Sequence, residues 1–131
     1  MLLPVAAAVG VHSALTGGLL VFRKGRRDRS EIALRSRLAP TVERVDRGDS
    51  TALAAAVRSD RRVVLDLHRV LAQDKARQDA RLAGLEAHPG SGDLVDALRL
   101  ASLDAHLSGD PAVARAAEEI LRALPHSRQL V

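Results

Sequence analysis

Five histidines, sixteen carboxylates and several serines are the side chains here that could move protons, hold a metal or attack an electrophilic centre. Their spacing supports none of these. His68, His88, His106 and His126 stand too far apart in sequence for the paired ligands of a helical metal motif. His106 and Asp104, two apart, cannot share a helix face, so these histidines read as surface or rim side chains. The acidic residues fall at helix caps and in ion-pair positions and do not converge, which leaves a two-carboxylate general-acid site without support. No Gly-x-x-x-x-Gly-Lys run offers a phosphate cradle, and no serine sits in a nucleophile elbow. Cysteine is absent, which removes disulfides and thiolate metal sites and suits a reducing compartment. Arg47-Gly48-Asp49 spells an adhesion tripeptide, but a helix end followed by a cap explains it. The expectation is a protein that is not an enzyme, with no catalytic residue, no metal and no cofactor.

The elements that would position such residues begin with an apolar run. Met1 to Phe22 carry no ionisable side chain except His12, and Arg23, Lys24, Arg26, Arg27 and Arg29 follow at once. A helix rising about 1.5 Å per residue crosses a roughly 30 Å hydrocarbon core in about 20 residues, the length of Leu2 to Phe22. A cleaved signal peptide would need its basic residues ahead of the apolar run, whereas here they come after it. An ordinary buried helix is the other rival, because His12, Ser13, Thr16 and four alanines make the segment only moderately apolar. Residues 1–22 are therefore assigned to a single transmembrane helix and 23–29 to a basic juxtamembrane segment touching anionic lipid head groups. By the positive-inside rule the amino end faces out and the remainder is cytoplasmic. Ala6 with Gly10, Ser13 with Gly17, and Ala14 with Gly18 are small pairs four apart, the spacing by which a second transmembrane helix packs closely and a homodimer could form through the anchor. An alanine-rich helix also yields such pairs by chance, and that reading ranks first.

Charge elsewhere is balanced. Residues 23–29 hold five basic side chains against Asp28, and residues 30–131 hold fifteen basic and fifteen acidic. With that neutrality, and with Phe22 the sole aromatic, a nucleic-acid-binding face is not expected.

Residues 30–124 read as a helical domain and 125–131 as a flexible tail. Ser30 is placed as the cap of a helix whose apolar face is Leu34, Leu38, Val42 and Val45, with Pro40 either kinking it or opening a new one. Gly48 ends it and Asp49 caps a short helix through Arg58. Asp60 caps a segment with the stripe Val63 or Val64, Leu67, Val70 and Leu71. Gln73-Asp74-Lys75 either splits residues 61–87 into two helices or lies on the outside of one. After the loop from His88 to Gly92, Asp93 is placed as the cap of a helix through Leu107. That helix has a narrow polar strip, Asp96, Arg99, Ser102 and His106, and so should be covered on most of its sides. Ser108-Gly109-Asp110-Pro111 makes the next hinge. Val113, Ala117, Ile120 and Leu124 line the last helix, with Arg115–Glu119 and Glu118–Arg122 as i,i+4 pairs. Gly-Asp hinges recur at 48–49, 92–93 and 109–110, an echo that suggests stacked antiparallel helix pairs.

Residues 93–124 resemble one HEAT-type repeat, with Asp93 to Leu107 as its first helix, Ser108 to Pro111 as its turn and Ala112 to Leu124 as its second. The order of the whole chain is similar to bacterial membrane-anchored HEAT-like proteins, some of which occur beside membrane glycosyltransferases. A tetratricopeptide reading fits less well, since that motif's Trp and Tyr positions have no counterpart. The resemblance implies an all-α fold, a transmembrane helix followed by five or six helices in a short right-handed HEAT-like stack. It also implies protein binding or scaffolding at the inner (cytoplasmic) membrane of a bacterium. The leading expectation is a membrane-tethered adaptor with a protein partner at the membrane. An accessory subunit of a membrane enzyme or transporter is the alternative, and a small bilayer-permeabilising protein a third.

Overall fold

The computed structural model describes residues 29–124. The fold is all-α, with six helices and no strand among the described residues. They are α1 (29–46), α2 (Ser50–Ser59), α3 (Val63–Gln73), α4 (Lys75–Ala87), α5 (Ser91–Ser108) and α6 (Pro111–Ala123). Two compact units divide after Arg37. The described part of the first, 29–37, is helical and largely exposed, Ile32 retaining 65% of its surface. The second unit, from Leu38, holds the core.

Two hinges share one device. Gly48 and Gly109 adopt φ of +64° and +72°, the left-handed region that glycine enters without steric cost. Behind them Asp49 N–H donates to the Arg44 carbonyl at 2.9 Å and Asp110 N–H to the Ala105 carbonyl at 2.8 Å, the long bond of a Schellman ending. Each aspartate then caps the next helix, Asp49 accepting from Ala52 N–H at 3.0 Å and Asp110 from Val113 N–H at 3.4 Å. Pro111 occupies the first turn of α6, where its missing N–H costs nothing.

Asp74 settles the middle of the chain. It ends α3 and accepts from Ala76 N–H at 3.1 Å and Arg77 N–H at 3.3 Å, so residues 61–87 contain two helices. Asp60 accepts from Arg62 N–H at 2.9 Å, capping the turn that leads into α3.

Two local expectations are corrected and one left open is decided. Arg29 and Ser30 are already helical, so Ser30 lies within the described part of α1 and does not cap it. Pro40 also lies inside α1 and does not open a new helix. Asp93 is the third residue of α5, which starts at Ser91 behind Gly90. Leu94 N–H already finds the Gly90 carbonyl at 3.0 Å, and the Asp93 carboxylate is engaged by another helix. Gly92-Asp93 is thus no hinge.

In the second unit α5 packs against α6 and α2, α6 against α3, and α3 against α4. Two hairpins, α2–α3 and α5–α6, therefore lie one on the other, like helix on like helix. The expected stripes meet in the core: Leu38 and Val45 of α1, Val64, Leu67 and Val70 of α3, and Val113, Ala117 and Ile120 of α6 are buried. Ala97, Ala101 and Ala105 of α5 and Ala114 and Ala117 of α6 are buried too, and such small side chains shorten the distance at which helices can pack. Arg81, its side chain 11% exposed, reaches Asp46 of α1 at 3.2 Å and the Val70 carbonyl of α3 at 3.0 Å. Buried Ser50 donates its hydroxyl to the Leu85 carbonyl. Among the described residues no buried side-chain polar atom lacks a hydrogen-bond partner, as a settled interior requires.

Candidate interaction face

Charged side chains stitch one hairpin to the other and leave a single face of α5 apart. Arg58 of α2 pairs with Asp93 of α5 at 2.6 Å. Arg61, between α2 and α3, donates to the Ser108 hydroxyl at 3.0 Å and stands 3.9 Å from Asp110, between α5 and α6. His68 of α3 meets Glu119 of α6, and His106 of α5 meets Glu118 of α6 at 2.7 Å. The adjacent Glu118 and Glu119 thus reach two different helices. Within α6 the sequence pairs them with Arg122 and Arg115; their principal partners come from other helices, and Arg122 only adds a field at Glu118.

The Arg58 hydrogen bond holds the Asp93 carboxyl below its ordinary value of 3.8, with desolvation opposing. His106, helped less by Ser102 and Arg122, does the same for Glu118, whose ordinary value is 4.5. A carboxylate whose pKa falls on folding stabilises the native state above its unfolded pKa, and that contribution is lost as pH falls through the lowered value. Urea midpoints measured from pH 6 to pH 2.5 should therefore fall on the acid side. Asp93→Asn should show a lower midpoint at pH 6 and a shallower fall below pH 4, since its contribution is already gone.

Among the described residues no three His, Cys, Asp or Glu side chains stand where they could share a metal ion. His88 accepts from Gly90 N–H at its Nδ1, 2.9 Å away, which orders the loop between α4 and α5.

α5 buries Leu94, Val95, Leu98 and its alanines against α2 and α6. The expectation that it is covered on most sides fails on the third. Leu100, Leu103 and Leu107 are 51%, 55% and 78% exposed. Steps of three and four put them on one line along the helix. Arg99 and Asp104, both exposed, flank this line on opposite sides, and Asp96 continues it one turn toward the amino end. Isolated exposed leucines are ordinary, whereas a contiguous apolar line with a charged rim marks a contact surface. Reading the polar strip of α5 as its only wet side concealed it: the leucine line lies beside Arg99 on a side that the described residues leave exposed.

Of the residues assigned to the membrane surface, Arg29 is described and is exposed. Arg23, Lys24, Arg26 and Arg27 lie outside the described residues, as do the packing positions Ala6, Gly10, Ser13, Ala14, Gly17 and Gly18 and the tail 125–131. Among the described residues no helix is long and apolar enough to cross a membrane. The chain matches no protein-family model, no curated protein and no solved structure.

Proposed function

We propose that the protein is a non-enzymatic, membrane-tethered adaptor that docks a protein partner on the leucine line of α5. The exposure of Leu100, Leu103 and Leu107 on a helix whose other leucines and alanines are buried carries this reading. Burial stabilises by about 25 cal/mol per Å² of apolar surface, and three aligned leucines offer such surface to a partner. Tethering rests on the apolar segment Leu2 to Phe22 and the basic cluster from Arg23 to Arg29, inserted with the amino end out at a bacterial inner membrane. Each well-placed basic residue adds about 1 kcal/mol of attraction to anionic lipid. Confinement to the membrane plane raises the effective concentration of a module whose own contact surface is small. The HEAT-like reading draws support from the hairpin-on-hairpin packing, α2 with α5 and α3 with α6.

Full-length protein mixed with anionic vesicles should float with them, and in mild detergent should migrate as a complex larger than one chain. Leu103→Asp should float equally, keep its helical circular dichroism and lose the complex. A chain that stays in the soluble fraction, or a complex indifferent to Leu103→Asp, contradicts the proposal.

A further inference from the structure

We infer that the occupant of the leucine line is a second copy of this chain, its α5 lying parallel and in register with the first. The inference rests on the adaptor reading, since it names the partner of that same face. Its ground is charge complementarity across the line. In heptad terms Leu100 and Leu107 take the a positions and Leu103 the d position, which places Arg99 at g and Asp104 at e. In a parallel pair a g residue meets the e residue five places on in the other chain. Arg99 of each copy then faces Asp104 of the other, two ion pairs closing the seam on both sides.

The antiparallel arrangement loses this match. There g meets g and e meets e, which sets Arg99 against His106 and Asp104 against Ala97. Asp96 bounds the apolar seam and would meet its own copy. Arg58, which pairs with Asp93 at 2.6 Å, also exerts a weaker attraction on Asp96 of its own chain. A stable soluble interface uses roughly 20–30 residues a side, and two helical turns fall well short. Pairing is accordingly weak between free molecules and strong only where copies are held together.

Because the chain has no cysteine, single substitutions report the pairing directly. Full-length Leu103→Cys in anionic vesicles should form a disulfide-linked dimer under mild oxidation. Arg99→Asp or Asp104→Arg added to it should each lower the dimer yield about three- to tenfold, as exposed ion pairs of this kind allow. The doubly reversed Arg99→Asp/Asp104→Arg form should recover it. Mixed Leu100→Cys and Leu107→Cys chains should link 100 to 100 and 107 to 107. Links from 100 to 107, failure of the double reversal to recover, or no dimer from Leu103→Cys would each overturn the inference. Flotation of the same samples decides tethering separately. Dimers from a chain that does not float sink the adaptor reading alone. Floating chains without dimers, whose large complex still depends on Leu103, sink only the second copy.

Discussion

Gly48→Ala is expected to cost about 2–4 kcal/mol of stability, and Gly109→Ala only about 1–2 kcal/mol, the usual toll for a side chain at positive φ. Both glycines sit in the same kind of hinge at nearly the same φ, +64° and +72°. What separates them is space. A Cβ at Gly48 would lie 3.0 Å from the Gly84 carbonyl oxygen and 3.3 Å from its carbon, whereas one at Gly109 meets nothing within 4 Å. The Gly84 contact is backbone of α4 and cannot swing aside as a side chain would. Relief would have to come from α4 itself, which Arg81 fastens to α1 and α3. Urea unfolding of the two variants side by side measures the difference. Equal losses would mean that the Gly48–Gly84 approach is slack.

The second large effect is predicted on α5, where position alone decides the outcome. Leu98→Ala should destabilise by about 3–4 kcal/mol, because Leu98 is fully buried and its removal leaves a cavity in addition to the lost transfer energy. Leu103→Ala should change stability by no more than about 0.5 kcal/mol, since half of that side chain already faces solvent. The same Leu103→Ala change should nevertheless weaken self-association in membranes. A substitution silent for folding and loud for association is the signature of a contact face, and the paired leucines provide the comparison within one helix. If Leu103→Ala unfolded the protein as readily as Leu98→Ala, the exposed line would belong to the core.

Local signals were legible in the sequence and distant ones were not. Gly48-Asp49 and Gly109-Asp110-Pro111 act through their own backbone and their immediate neighbours, so composition alone located both hinges. Asp74 marked a break for the same reason, although only the geometry chose two helices over one. Asp93 misled because it has the chemistry of a cap, yet its carboxylate serves Arg58, 35 residues away. Glu119 and His68 are 51 residues apart, and nothing in the periodicity of α6 distinguishes that partner from nearby Arg115. The leucine line was hidden by a related ambiguity. A helix with apolar residues around most of its girth has to be covered somewhere, but which sides its neighbours take is tertiary information. The stripes of α3 and α6, one-sided and unambiguous, were read correctly.

The consecutive carboxylates of α6 also fix its phase. Successive residues on a helix point about 100° apart, so Glu118 and Glu119 can satisfy His106 and His68 together at one rotational setting only. Inserting a single alanine between Pro111 and Glu118 would swing both away from their imidazoles while leaving composition, length class and helical propensity almost untouched. Side chains at the rim thereby add an index mark to the angular seating that Val113, Ile120 and Leu124 set on the inner surface of the helix.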